Sequence, residues 1–366
     1  MLLITFLIYF TVDQTHNLQP FESFGNSHMG RSTLFLFTAL TVVLSSLAQA
    51  AEVNIYSARK EALIKPLLDE FSAKTGIEVN LVTGKADALL SRLQSEGRNT
   101  PADVFITVDA GRLHRAKEAG VLQTISDPQI EAAVPANLRD ADGQWIGLSQ
   151  RARVIFYAKD RVDPSELSTY EALADPKWKG RICIRSSNNI YNQSLVASLI
   201  AAHGEEEVEE WARGLVANMA RPPRGGDRDQ IKAVAAGECD LAVANTYYYG
   251  KMLTGDDAGQ KAAAEQVALF WPNQNGRGAH VNVSGAGVTR HAKNPDAAIE
   301  LLRFLVSPEA QSWYAEVNFE YPVREGVEES ELLASWGDFK ADNLNLSTLG
   351  EYNAAAVMLM DRAGWR

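Results

Sequence analysis

Cys239-Asp-Leu-Ala-Val-Ala-Asn245-Thr-Tyr-Tyr-Tyr-Gly250 reads as a short apolar strand that runs straight into three consecutive tyrosines, Tyr247, Tyr248 and Tyr249. The same spacing occurs 56 residues upstream, where Cys183 precedes Tyr191 by the eight residues that separate Cys239 from Tyr247. Matched offsets predict two neighbouring parallel strands, each with a cysteine near its start and a tyrosine at its end. In open α/β sheets ligands collect beyond the carboxyl ends of the strands. The phenols therefore converge where a ligand is expected.

Working outward, strand and helix patterns alternate. Residues 53–56 read as a strand, and Leu63, Leu67, Leu68 and Phe71 form a helical stripe that stops at Gly76. Residues 77–82 read as the next strand, so this is a βαβ unit, although Pro66 is awkward unless it falls in the first turn. A helix at 86–93, a strand at 103–108 and a helix at 110–119 follow. Residues 147–159 form a long strand pattern carrying Arg151 and Arg153 on one face, a candidate crossover between lobes. Beyond it come a strand at 181–187, helices at 189–202 and 207–219, and a helix capped by Asp227 and ended by Gly237. Strands at 267–271 and 279–289, a helical stretch at 294–317 broken near Pro308, and a mostly helical tail at 328–366 complete the chain. The pattern is α/β, two lobes joined by two hinge crossover strands. One lobe comprises 51–150 plus 279–325, the other 151–278 plus 326–366.

The 366 residues, 46% hydrophobic and 22% charged, suit a globular protein of about two domains. Met29-Gly-Arg31, an apolar run over 34–47 and Ala48-Gln-Ala50 have the layout of a secretory signal at 29–50, cleaved after Ala50. Residues 1–28 fit no part of it and read as a start-site extension. An exported, periplasmic location follows. The net charge is −11, and residues 1–50 carry one positive and two negative charges, so the remainder carries −10. That excludes nucleic acid as the expected partner. Export permits a Cys183–Cys239 disulfide. The alternative is two buried thiols.

Consecutive tyrosines most often bury their rings. The offset to Tyr191, and a strand-to-helix turn that lets adjacent side chains converge, argue for more. Phenolate is a hard donor suited to a hard cation, and Fe(III) is the first candidate. A phenol's ordinary pKa of about 10 means that the metal must drive ionisation. Asn245 or Thr246 can cap the following helix. Three phenolates neutralise a trication but leave coordination positions for water, an anion or another side chain. Arg59, Arg151 and Arg153 offer planar forks for an oxyanion, or plain salt bridges. His114, His203, His280 and His291 have no paired spacing, which argues against zinc. Asp109 and Glu61 read as carboxylate ligands or helix caps. No nucleophile–base arrangement stands out.

Five segments together resemble the periplasmic ferric-ion-binding proteins of the FbpA/FutA type: Val53-Asn-Ile-Tyr56-Ser-Ala-Arg59, Thr100-Pro-Ala-Asp-Val-Phe-Ile-Thr-Val-Asp109, Gly147-Leu-Ser-Gln-Arg151-Ala-Arg153-Val154, Asn189-Ile-Tyr191-Asn-Gln-Ser194 and Asn245-Thr-Tyr247-Tyr-Tyr-Gly250. The resemblance implies a type II periplasmic-binding-protein fold, a monomer that is not an enzyme, and delivery of Fe(III) to an inner-membrane ABC permease. It implies Tyr191, Tyr247 and Tyr248 as metal ligands, with Tyr249 a neighbour. Where some relatives carry a histidine and a tyrosine ligand, this chain has Lys60 and Glu61, and where others use a glutamate it has Val108. That departure resembles the branch that uses three tyrosines with a synergistic anion, carbonate or similar, supported by Arg59 and Arg151. The rivals are a binding protein for an organic solute (polyamine, thiamine or phosphonate) and a secreted enzyme with Tyr248 as general acid.

Overall fold

The computed structural model describes residues 51–366; the signal and start-site readings at 1–50 lie outside the described residues. Eight strands are present among them: β1 Glu52–Ser57, β2 Glu78–Thr83, β3 Val104–Val108, β4 Ile146–Ala158, β5 Ile182–Cys183, β6 Leu241–Asn245, β7 Val267–Phe270 and β8 Val281–Val288. They order as β2-β1-β3-β8-β4-β6-β5, with β7 also paired to β4. β1 runs parallel to β2 and β3, and β5 runs parallel to β6. The two long strands β4 and β8 are antiparallel to their neighbours and lie in the middle of the order. This is a mixed α/β, two-lobe periplasmic-binding-protein fold with β4 and β8 as the crossovers.

Pairing along β4 shows where one lobe gives way to the other. Residues up to Ala152 pair with β8, and from Arg153 onward the partners are β6 and β7. Close contact at this crossover depends on a missing side chain. A Cβ at Gly285 would lie 2.5 Å from both the Ile146 carbonyl and Leu113, far inside van der Waals contact.

The first βαβ unit forms as its pattern predicts. Pro66 sits in the first turn of the helix Lys65–Thr75, where no helical N–H is needed. Gly76 ends that helix in the left-handed conformation, φ 74°. Leu67, Leu68 and Phe71 are buried beneath it.

Three expectations need correction. The strand at 181–187 shrinks to Ile182–Cys183 because the carbonyls of Arg185 and Ser186 turn to the Asn192 amide, at 2.8 and 3.1 Å. Asp227 is not the cap of the helix Asp227–Ala235; Gly226 is, and its N–H is met by the Asp229 carboxylate at 2.8 Å. Most of the tail segment at 335–346 is not helical: its Lys340 carbonyl and Asp342 N–H bond the backbone of Ala279. The helix Ser347–Glu351 packs between the helices Ala110–Glu118 and Ile190–His203.

Cys183 and Cys239 form the disulfide, with Cα atoms 5.9 Å apart, at the base of the β5–β6 pair. Closing a separation of 56 residues contributes about 4 kcal/mol in the chain-entropy account.

Candidate metal centre in the cleft

Each tyrosine is delivered by a strand, a turn and a helix start. After β5 the chain turns at Asn189, whose side chain accepts the Tyr191 N–H at 3.2 Å and starts the helix Ile190–His203. After β6 the helix Thr246–Thr254 begins at once, so Tyr247 and Tyr248 sit in its first turn. Asn245 occupies the cap position, yet its side chain makes no cap bond, contrary to expectation. It accepts instead from Arg153 at 3.0 Å.

The two turns bring the phenols together. Tyr247 donates to the Tyr191 hydroxyl at 3.3 Å, and the Tyr247 and Tyr248 rings lie 4.2 Å apart. All three side chains line a cavity of about 420 Å³. Burial, with the neighbouring phenols, pushes Tyr247 well above its ordinary pKa, and burial raises Tyr248 likewise. At neutral pH that shift favours the neutral phenol at both positions. Tyr249 points the other way: its hydroxyl donates to the Val267 carbonyl at 3.1 Å, and its ring packs on Phe156 and Trp336.

A polar layer that the sequence reading missed holds the two tyrosine turns in place. Arg153 is 2% exposed and donates to Asp227 at 2.8 Å, to Asn192 at 2.6 Å and to Asn245 at 3.0 Å. Asn192 follows Tyr191, and Asn245 precedes Tyr247 by two residues, so one guanidinium ties both turns. Asp227 also accepts from Arg185, whose guanidinium lies 5.8 Å from the Tyr191 ring. Arg153 is therefore committed to structure and has no fork left for an anion.

The opposite wall contains Arg59 and Arg151, both buried. Arg59 donates to Glu320 at 2.9 Å, and Arg151 approaches the other oxygen of the same carboxylate at 3.6 Å. Ser149 donates to Glu320 at 2.6 Å, and both arginines contact the Ser284 hydroxyl. Burial alone would raise the Glu320 pKa, but Arg59 and Arg151 outweigh it and hold the carboxyl below its ordinary range. Glu320 carried no motif and lay between two expected helical regions, so no sequence signal marked it. Lys60, Arg112, Arg228 and Lys251 complete the positive lining of the cavity. Glu61 is exposed and does not line it, whereas Val108 does.

Asp109 is a helix cap, accepting the Gly111 N–H at 2.9 Å. It also accepts from Ser194 at 2.6 Å and Asn282 at 3.0 Å, which joins the segment after β3 to the Tyr191 helix. Its φ of 81° is rare for a residue with a side chain. Among the described residues no three His, Cys, Asp or Glu side chains form a metal-ligating cluster.

Comparison with known proteins identifies the family. Residues 99–340 match the family model for bacterial extracellular solute-binding proteins. The chain is 54% identical over 315 residues to iron uptake protein A1 of Synechocystis, covering 86% of this chain and 88% of that one. It is 48% identical to iron uptake protein A2 of the same organism, covering 92% and 99%. The solved structure of a Trichodesmium FutA protein, described as a complex with iron and citrate, superposes with a TM-score of 0.84 at 54% identity, covering 86% of this chain and all of that one. These relatives are binding proteins and not enzymes, which removes the reading of Tyr248 as a catalytic acid. The chain belongs to the bacterial extracellular solute-binding proteins, among the iron uptake and ferric-ion-binding proteins of the FutA type.

Proposed function

We propose that this protein captures Fe(III) in the periplasm and delivers it, as a monomer, to an inner-membrane ABC permease. Tyr191, Tyr247 and Tyr248 hold the cargo as phenolates. The observation that carries the reading is the convergence of their side chains from two helix starts 56 residues apart, with two hydroxyls 3.3 Å from each other. Binding a trication ionises the phenols, and Arg151, 5.8 Å from the Tyr247 ring, favours that step by partly offsetting the burial that raises the Tyr247 pKa. The lobes, 51–150 plus 279–325 and 151–278 plus 326–366, close about β4 and β8, and residues 29–50 serve as the export signal.

An exogenous anion completes the charge balance, with Arg59 and Arg151 as its forks. Carbonate fits that seat by size. A carboxylate fits it by shape, and the Trichodesmium relative carries citrate with its iron. Polyamines and thiamine offer no oxyanion to the forks of Arg59 and Arg151 that this cavity presents.

Loading the purified protein with Fe(III) from a weak chelator is expected to give a visible phenolate-to-iron charge-transfer band at one iron per chain. Excess thiamine or spermidine should leave it unchanged. A colourless loaded protein, or displacement by one of those solutes, sinks the reading.

A further inference from the structure

Six cationic side chains line the cleft cavity, and Glu320 is the one carboxylate among its lining residues. Lys60, Arg112, Arg228 and Lys251 have no carboxylate partner among the described residues. Glu320 is given over to the other two: its oxygens face Arg59 at 2.9 Å and Arg151 at 3.6 Å, and Ser149 donates at 2.6 Å. A planar two-oxygen anion held by two guanidiniums and a serine is the arrangement that a carbonate or a ligand carboxylate would take. The seat is also not saturated. Arg151 is 2% exposed, yet its Nε and Nη1 atoms are buried without a hydrogen-bond partner. Such donors are costly to leave unmet, and a second or larger oxyanion would satisfy them.

We propose that Glu320 is the resident occupant of the anion seat, a built-in carboxylate that an exogenous carbonate or carboxylate must displace from Arg59 and Arg151. The inference rests on the anion reading given above and adds the competitor. Its placement lets displacement be felt on both walls. Glu320 follows a π-helical turn, Tyr314–Asn318, and then Phe319, whose φ is 55°. π-turns and left-handed non-glycine residues gather at functional sites. Phe319 packs on Gly250 of the tyrosine helix, where a Cβ would lie 2.8 Å from the Phe319 ring, so no larger residue fits. Asn318 donates to the Leu63 carbonyl at 3.1 Å, behind Arg59. The backbone beyond is pinned, since Tyr321 and Gln150 exchange two hydrogen bonds of 2.7 Å. Exchange therefore moves the Glu320 side chain and leaves the strand contact in place.

The test uses metal-free protein first, so that it does not depend on iron. Glu320→Ala should melt below the wild type, and acetate or bicarbonate should raise its melting temperature saturably while leaving the wild type unmoved. Adding Arg59→Gln to Glu320→Ala should abolish that rescue. Glu320→Gln keeps the shape and guards against a misfolded alanine variant. In the iron-loaded arm it should need at least about tenfold less bicarbonate for half-maximal colour, the scale of one lost charge-assisted competitor. Equal anion response in wild type and both variants, or a weaker response in the variants, overturns the proposal. Rescue by acetate with no iron colour in any form leaves the anion seat standing and removes the ferric reading.

Discussion

The two walls of the cleft are built on opposite plans. The tyrosine wall comes from two helix starts at the ends of adjacent parallel strands, and Tyr247 and Tyr248 are neutral because burial raises their pKa values. The arginine wall is drawn from four distant segments, with Arg59 after β1, Arg151 on β4, Ser284 on β8 and Glu320 beyond the π-turn. Its charges are permanent, and two guanidiniums share one carboxylate, which leaves Arg151 Nε and Nη1 without partners. On the proposed function one wall acquires charge only when a metal arrives, whereas the other carries charge at all times. On that reading the metal is chosen by one wall and its accompanying anion by the other.

The largest expected effect separates the walls by pH. If Fe(III) ionises all three phenols, three protons leave on binding, and log K should rise by up to about three for each pH unit near neutrality. Affinity falls as pH falls. Glu320 runs on a different window: its pKa is depressed in the folded protein, so its contribution is complete above the ordinary carboxylate pKa and is lost only as pH drops through the folded value. With an accompanying anion of known protonation, a steep dependence between about pH 6 and about pH 8 thus belongs to the tyrosines and not to Glu320. Competition against a chelator of known protonation would measure the slope; a value near zero would show that the metal does not ionise the phenols.

Removing one donor comes next. Tyr248→Phe and Tyr191→Phe should each weaken Fe(III) binding by more than about a hundredfold, beyond the range of outer-sphere substitutions, and should shift or bleach the colour. An unchanged band in either variant would fail that phenol as a ligand and break the symmetry between the two turns.

Arg153 tests whether the tyrosine wall needs its hidden layer. Arg153→Met leaves Asp227 buried with one partner fewer, and breaking a buried pair costs about 3–5 kcal/mol. Because the guanidinium ties Asn192 and Asn245 together, iron affinity should also fall about 10–100-fold, as for outer-sphere partners. Thermal melting and iron titration on one sample separate the two effects. Lost stability with full affinity would show that the turns hold their geometry without the tie.

Legibility in the sequence follows the same division. The βαβ order, both crossovers and the cysteine pairing were readable, because hydrophobic period and a 56-residue offset are local or nearly local signals. For Asp109 the sequence left a ligand and a cap open, and the structure shows the cap. Arg153 was visible as a residue but not in its role, because Asp227 looked like a cap and its real partners lie 18 to 74 residues away. Glu320 was not readable at all: it meets Arg59 across 261 residues of sequence, after a backbone turn that no residue type announces. Long-range ion pairs leave no periodicity.

Tyr249 gives the smallest effect and the cleanest control on the comparison. It belongs to the same tyrosine run as two expected ligands, yet a helix turns successive side chains by about 100°, and the third ring lands among Phe156 and Trp336. Tyr249→Phe removes one hydroxyl that donates to the Val267 carbonyl at 3.1 Å. The expected cost is about 1 kcal/mol of stability, read as a small drop in melting temperature, with iron affinity and colour unchanged. If Tyr249→Phe altered the band instead, the helix would have to present all three tyrosines to the cleft, and the division of that run into two ligands and one packing residue would fail.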